Sequence, residues 1–158
     1  MHPTILDVMR EKLAPLGEAF VSHRTLVLSI PPSALVTAAR QLKDEFACDL
    51  FLDVTAVDWL ADTPSPRFEV VYHFYSTFHK IRVRVKSRVA ESDPVIDSLV
   101  PLYGSAGFME RECHDMYGIV FRGNRDLRPI LLYEGFEGHP LRKDYPKTRE
   151  QPLVTYRK

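Results

Sequence analysis

Residues 109–118, which read MERECHDMYG, place several ionisable side chains close together. Carboxylic acids beside a histidine can act as general acid and general base. They are also common on helix surfaces, where residues four apart form ion pairs. Structural pairing is the favoured interpretation, and the candidate pairs are Arg111 with Asp115 and Glu110 with His114. Acid–base catalysis by Glu112 and Asp115 is the alternative.

The two cysteines give no indication of thiol chemistry. Cys113 adjoins His114, but neighbouring residues on a helix point about 100° apart and do not face each other. Cys113 shares the apolar side of the predicted helix with Met109 and Met116, which favours a buried, unreactive thiol. Cys48 is far away, and no Cys-x-x-Cys occurs. The sequence therefore excludes a disulfide framework, and also an iron–sulfur cluster or structural zinc site built from this chain's thiolates alone.

Other motifs that carry chemistry are absent from the sequence. The six histidines have no spacing typical of metal ligands. No dinucleotide-binding Gly-x-Gly-x-x-Gly, no P-loop and no Gly-x-Ser-x-Gly occurs. The residues thus favour a binding module over an enzyme.

A stripe of basic residues follows one side of a predicted strand at positions 81–89. The stripe consists of Lys80, Arg82, Arg84, Lys86 and Arg88. Such a stripe could follow a phosphate backbone. Lys plus Arg and Asp plus Glu both number 21, however, and a net charge of zero argues against bulk attraction to nucleic acid. A solvated sheet face, or one docked on an acidic neighbour, is the favoured interpretation.

Length and composition predict one soluble domain. The chain has 158 residues, 45% hydrophobic and 27% charged, as is ordinary for a globular protein. Its apolar stretches are much shorter than the roughly 20 residues that span a bilayer. The N-terminus carries acidic residues and no apolar core of a signal peptide, so a cytosolic protein is expected.

Apolar periodicity and turn residues predict an α+β fold, with one mixed sheet of about five strands and helices on one face. Helices are expected at 4–16, from 32 or 33 to 46, at 92–103 and at 108–117, the last capped by Gly118. Strands are expected at 18–22, 25–30, 49–59, 68–75 and 81–89. In the third of these, Leu50, Leu52, Val54 and Ala56 are predicted to share one face.

The division of the chain is predicted to be an α+β domain at 1–121 and an extended tail at 122–158. Six of the seven glycines lie between Gly104 and Gly138, and no periodicity continues beyond Phe121. The tail's few apolar residues cannot form a core of their own. It must therefore lie along a surface, either its own domain's or a partner's.

Several motifs in this region resemble a known family. They read ERE-x-x-DMYGI-x-F at 110–121, DLR-x-IL at 126–131 and GFEGHPLRKDYP at 135–146, with FEVVYH upstream at 68–73. Together they closely resemble the C subunit of proton-pumping NADH:quinone oxidoreductase, respiratory complex I. The resemblance covers about residues 50–146.

The resemblance implies a subunit without flavin or cluster in the peripheral arm, at the cytoplasmic face of the inner membrane. FMN and iron–sulfur clusters would belong to partner subunits, and the C-terminal extension would lie against the subunit that builds the quinone site. The residues expected at that interface are Glu110, Arg111, Glu112, Asp115, Gly118, Phe121, Gly135, Gly138, His139, Pro140, Leu141, Arg142, Lys143 and Asp144. No catalytic, cofactor-binding or metal-binding residue is expected in this chain.

One departure from the family pattern is Asn124-Arg125, where the family usually has His-Pro. Two alternatives stay open. One is the equivalent subunit of a membrane-bound hydrogenase or another complex-I-like oxidoreductase, and the other is a free-standing acid–base enzyme. The electron donor and the quinone are not encoded in the motifs.

Overall fold

The computed structural model describes residues 4–60 and 66–152 and has the α+β architecture predicted from the sequence. The helices are α1 (Ile5–Leu13), α2 (Leu35–Asp44) and α3 (Ala106–Tyr117). The strands are β1 (Glu18–Ser22), β2 (Thr25–Ile30), β3 (Leu50–Asp58), β4 (Phe68–Ser76), β5 (Ile81–Val89), β6 (Val95–Asp97) and β7 (Val120–Arg122). Two short 3₁₀ helices, Ala14–Leu16 and Pro32–Ala34, follow α1 and precede α2.

Strands β1 to β5 form one mixed sheet in the order β1-β2-β5-β4-β3. Only β2 and β5 are parallel neighbours, and the other pairs in this sheet are antiparallel. Buried side chains of all three helices join the inward residues of the strands in a single core cluster. The opposite face keeps the basic stripe of β5, where Arg82 and Arg84 are exposed and Lys86 pairs with Glu69.

The first helix ends earlier than the sequence indicates. Thr4 and Asp7 cap its start reciprocally, because the Thr4 hydroxyl accepts from the Asp7 amide and the Asp7 carboxylate accepts from the Thr4 amide. The α-helix stops at Leu13, and the predicted last turn around Pro15 is a 3₁₀ helix. Proline offers no amide to continue the α-helical hydrogen bonds.

The helix predicted at 92–103 is wrong. Its position holds β6, which pairs in parallel with β7 as a separate two-stranded sheet, Ile96 opposite Phe121. Both side chains are almost fully buried. The β-branched Val95 and Ile96 suit this pairing, but the pairing partner is distant in sequence and leaves no local trace.

The predicted inward face of β3 is also wrong in its first half. The register shifts between Phe51 and Asp53, so Leu52 is an extra residue in the ladder. Because of this bulge, Phe51 is buried and Leu50 is 44% exposed, whereas Val54 and Ala56 point into the core as predicted.

Beyond β7, the described residues 123–152 contain no helix or strand, in agreement with the predicted extended tail. The described part of the tail does not extend into solvent. It turns back along α3 and reaches the junction of β3 and β4, through the contacts described below. Its division from the domain at residue 121 stays a prediction.

Candidate functional site at the docked tail

The motifs at 110–121 and 135–146 lie against each other. Helix α3 ends at Tyr117 and is capped by Gly118, and its last carbonyl groups need partners from outside the helix. The tail supplies three donors: His139 Nδ1 to the Asp115 carbonyl (2.9 Å), the Leu141 amide to the Met116 carbonyl (3.1 Å) and Arg142 Nε to the Tyr117 carbonyl (2.7 Å). We call residues 139–144 in this position the tail clasp.

Gly118 is what allows the clasp to approach the helix end. Its φ of 74° is left-handed, as predicted for the helix cap. A Cβ atom at this position would lie less than 3.0 Å from His139 Nε2 and from Arg142 Nη2. The glycine is therefore required both by its backbone conformation and by the close packing of the clasp.

Asp115 holds an earlier segment of the tail. Its side chain is 4% exposed, and Oδ2 accepts hydrogen bonds from three successive amides, those of Ile130 (2.8 Å), Leu131 (2.9 Å) and Leu132 (3.3 Å). Three amides that converge on one carboxylate oxygen fix the local backbone.

Arg111 holds the segment just before that one. Its guanidinium donates to the carbonyls of Arg128 (2.8 Å) and Pro129 (2.9 Å) and lies 3.7 Å from Asp126. The predicted pairing of Arg111 with Asp115 is therefore wrong, because both side chains turn to the tail. A backbone segment offers each of them more hydrogen bonds than one exposed ion pair would.

The predicted pairing of Glu110 with His114 is wrong as well. Glu110 is fully buried and accepts from the Ser98 hydroxyl (2.8 Å), the Leu99 amide (2.8 Å) and the Asn124 side-chain amide (2.9 Å). Burial raises the pKa of Glu110, against the opposing effect of these three hydrogen bonds. His114 instead donates from Nδ1 to the Ile119 carbonyl. Asn124, the departure from the family pattern, thus has a structural partner.

The end of the clasp reaches a buried arginine that sequence reasoning missed. Arg67 is 5% exposed and donates to Asp58 (2.9 and 2.7 Å), Glu91 (2.6 Å) and Asp144 (3.0 and 2.8 Å). Asp58 also accepts from the Lys143 amide at 2.8 Å. Glu91 and Asp144 are 24 and 77 residues from Arg67 in the sequence, so no local pattern could have indicated this group.

Electrostatics fixes the charge state of this group. Burial disfavours ionisation of Asp58, but the hydrogen bonds from Arg67, Lys143 and Leu60 outweigh it and lower the pKa of Asp58 to about 2. Hydrogen bonds from Asp58 and Asp144 raise the pKa of Arg67 further above its usual value. The guanidinium groups of Arg67 and Arg142 also share one aromatic ring, with their central carbons 4.8 and 5.0 Å from the centre of Phe68.

The remaining predicted interface residues divide into inward and outward groups. Phe121 is 1% exposed and belongs to the domain core, and Pro140 is half-buried. Gly138, at φ 91°, packs against the Tyr145 ring, whereas nothing lies near Gly135. Four side chains remain exposed: Glu112, Leu141, Lys143 and Asp144. The side chain of Asp144 is exposed even though it pairs with Arg67.

This arrangement gives no support to the acid–base alternative. Asp115 is occupied by three amides, and Glu112 is exposed. Cys113 is buried, as predicted, and burial raises its pKa. In residues 4–60 and 66–152 no group of three His, Cys, Asp or Glu side chains could hold a metal ion. None of the helices in those ranges is long and apolar enough to cross a membrane.

Comparison with known proteins agrees with the motifs. Residues 28–151 match the family model described as "Respiratory-chain NADH dehydrogenase, 30 Kd subunit". The chain is 43% identical over 150 residues to the C subunit of NADH-quinone oxidoreductase from Methylorubrum extorquens, covering 90% of this chain and 67% of that protein. The C subunit from Agrobacterium fabrum is also 43% identical, and 64% of its length is covered. The chain thus spans about two thirds of the length of these relatives.

Solved structures show the same fold. One is described as the trypsin-resistant fragment (1-134) of Nqo5, with a TM-score of 0.68 and 30% identity over 76% of this chain and 96% of that one. A chain of an archaeal respiratory membrane complex, the membrane-bound sulfane sulfur reductase, has a TM-score of 0.79 and 28% identity over 91% of this chain and 85% of that one. Fold, motifs and family model agree, and the chain belongs to the family of the 30-kDa subunit of respiratory-chain NADH dehydrogenase.

Proposed function

We propose that the chain is a peripheral-arm subunit of a complex I-type NADH:quinone oxidoreductase. It carries no redox cofactor and scaffolds the neighbouring subunit that forms the quinone site, so that electron transfer to quinone is coupled to proton translocation. FMN and iron–sulfur clusters belong to other subunits. The assembly holds the chain at the cytoplasmic face of the membrane.

The observation that carries this proposal is the docked tail. Asp115 and Arg142 bind backbone groups and so fix the course of the tail, and Glu110 accepts from the Leu99 amide and from the side chain of Asn124 at the start of the tail. Asp115 and Arg142 line separate small cavities of about 180 Å³ each, but their polar atoms are bonded to backbone groups of the tail and of α3. Residues that define a backbone path and not a reaction site are what an interface subunit requires, since a preformed surface loses little entropy on docking.

The fixed tail keeps apolar side chains at the surface. Leu131 is 61% exposed, Leu141 52% and Ile130 38%. Each lies next to a backbone group anchored on α3, so none is free to turn inward. Rigidly presented apolar side chains with a charged surround suit a protein interface. We therefore assign the inward motif residues to positioning, and these outward residues to contact with the partner.

A second candidate function is the equivalent subunit of another complex-I-like assembly. It is favoured by the similarity, over 91% of the chain, to a subunit of a membrane-bound sulfane sulfur reductase. In such an assembly the clasp would do the same positioning, while the electron acceptor would differ.

The test is purification of the tagged full chain from detergent-solubilised membranes of its own organism. NADH:quinone reductase activity should elute with it, together with a larger partner subunit identified by mass spectrometry. Elution with a sulfur- or proton-reducing activity would favour the second candidate. Recovery of the chain alone would contradict both.

Three variants test where the contact lies. Leu141→Asp should abolish co-purification while leaving the chain folded, because an exposed leucine contributes little to the core but much to a buried interface. Phe20→Asp, a matched substitution of an apolar residue 45% exposed on β1, is the control and should co-purify normally. Arg111→Glu should also weaken assembly. A carboxylate at position 111 would repel Asp126 and the carbonyls of Arg128 and Pro129, which the arginine binds.

A further inference from the structure

We propose that a groove at one end of the five-stranded sheet is a docking site for an acidic, partly apolar segment of a partner protein. The groove has a volume of about 880 Å³. Its lining residues include His23, Arg24, Leu50, Tyr75, Lys80 and Arg82. We call this surface the cationic groove.

The cationic groove crosses four strands. Thr25, Arg82, Tyr75 and Leu50 are successive register partners on β2, β5, β4 and β3. Three strand spacings give a length of about 14 Å, enough for about four residues of an extended segment. The groove is distinct from the tail clasp, because β3 carries Leu50 at the groove and Asp58, the clasp's partner, at its other end.

The charge of the groove is one-sided. Arg24, Lys80 and Arg82 line it together with His23, and no carboxylate is among the lining residues within positions 4–60 and 66–152. In the part of the chain that the structure describes, none of these four side chains has a carboxylate partner. Further along the same strand, by contrast, Lys86 is paired with Glu69 at 3.3 Å. Uncompensated cations in a concave surface attract and orient anionic groups.

The floor of the groove is apolar. Leu50 is 44% exposed because the bulge in β3 turns Phe51 inward in its place, and Leu52, Ile81 and Tyr75 are only partly covered. Phe78, in the adjacent turn between β4 and β5, is 80% exposed. An occupant must therefore offer apolar side chains as well as negative charge.

Backbone strain is gathered at this end of the sheet. Within residues 4–60 and 66–152, four non-glycine residues have positive φ: His23 (48°), Arg24 (61°), Ala47 (49°) and Lys80 (58°). Three of them line the groove, and Ala47 precedes β3 at the same end. Glycine would adopt these conformations without cost. The two-residue turn between β1 and β2 requires positive φ at both of its positions, where glycine and asparagine are usual, and this chain places His23 and Arg24 there.

An acidic protein segment fits these features better than other polyanions. A bilayer surface is flat on this scale and cannot enter a groove, and the neutral net charge gives no general attraction to nucleic acid. Because the groove shares no residue with the tail clasp, this inference does not depend on the proposed function and can fail separately from it.

The test is selection of random 12-residue peptides displayed on phage against the immobilised full chain. The groove variant combines Arg24→Gly, which keeps the positive φ, with Arg82→Ser. The control variant removes two exposed cations elsewhere, Arg125→Ser with Lys147→Ser. Selected peptides should be rich in Asp, Glu and apolar residues. Their affinity should fall about tenfold for the groove variant at low salt and stay unchanged for the control.

Thermal unfolding of both variants checks that each is folded. Failure to enrich any peptide, selected peptides without acidic residues, or equal binding to the groove variant would overturn the proposal. Sedimentation with vesicles of phosphatidylcholine and phosphatidylglycerol tests the alternative that the groove binds a lipid surface. Vesicle binding that is lost in the groove variant alone would assign the cations to a lipid surface and also overturn it.

Discussion

Asp144 and Arg67, 77 residues apart in the chain, are joined by two hydrogen bonds of 3.0 and 2.8 Å. Through this pair the end of the tail clasp is fixed to the start of β4. Arg67 is almost fully buried, whereas half of the Asp144 side chain is exposed. The buried cation therefore belongs to the domain, and the tail adds a partner to it.

This difference in burial predicts that the two aspartates bound to Arg67, Asp58 and Asp144, contribute unequally to the free energy of unfolding. Asp58→Ala should lower the free energy of unfolding by about 3–5 kcal/mol, because it removes the buried partner of Arg67 and leaves two amides without acceptors. Asp144→Ala should cost about 1 kcal/mol or less, since its pair is screened by solvent. Urea denaturation followed by circular dichroism measures both.

Urea denaturation of the original chain and of Asp58→Ala, repeated over a range of pH, is the control. The folded pKa of Asp58 is lowered from 3.8 to about 2, so its contribution is fully present above pH 3.8 and is lost as the pH falls toward 2. The difference between the original chain and Asp58→Ala should shrink over that interval. Equal costs for the two alanine variants at pH 7 would contradict the assignment of Arg67 to the domain.

Gly118→Ala should release the clasp from α3. The new Cβ would meet His139 and Arg142, and a left-handed alanine costs about 1–2 kcal/mol in addition. Hydrogen exchange of the Leu141 amide, which is bonded to the Met116 carbonyl, should become faster. Gly135→Ala is the matched control, because φ is 90° there but the space is open. If both variants protect Leu141 equally, the close contact at Gly118 does not hold the tail.

Asn124→Asp should destabilise the chain more than Asn124→Ala. The alanine variant loses the hydrogen bond to Glu110 and the one accepted from the Asp126 amide, each worth about 1 kcal/mol, whereas aspartate can keep the second. The aspartate variant places a second carboxylate beside a buried one, whose charge is already disfavoured by burial. A double-mutant cycle with Glu110→Gln measures the effect, and the extra penalty of aspartate should largely vanish in that background. A penalty that persists there would mean that Asn124 acts through another neighbour.

Docking of the clasp should weaken in mild acid. Burial, the charge of Arg142 and the nearby His114 lower the pKa of His139, although its hydrogen bond to the Asp115 carbonyl opposes this. For a base with a lowered folded pKa, the stabilisation is fully present above the unfolded value of 6.5 and is lost as the pH falls below it. Exchange of the Leu141 amide, corrected for intrinsic rates, should therefore accelerate from about pH 7.5 to about pH 5.5, an interval that brackets the ordinary histidine pKa. His139→Gln should remove this pH dependence, and its persistence would implicate a different group.

The sequence by itself determined the elements whose causes are local. Strands β1, β2 and β5 have their predicted bounds, because alternating side chains and the residues that break the strands are all within a few positions. The left-handed cap at Gly118 and the burial of Cys113 followed from helical spacing in the same way. The motifs at 110–121 and 135–146 were sufficient to indicate the family, without showing what their residues contact.

The tertiary structure alone decided which partners those residues have. Asp115 and Arg111 look like an ion pair on a helix, but the returning tail offers them amides and carbonyls from residues 15 or more positions away. β6 is a strand only because β7 lies beside it, and Leu50 is exposed only because one extra residue enters β3. Arg67 collects carboxylates from three distant segments. In each case the deciding energy comes from a contact between segments distant in the chain, and such contacts have no period or spacing in the sequence.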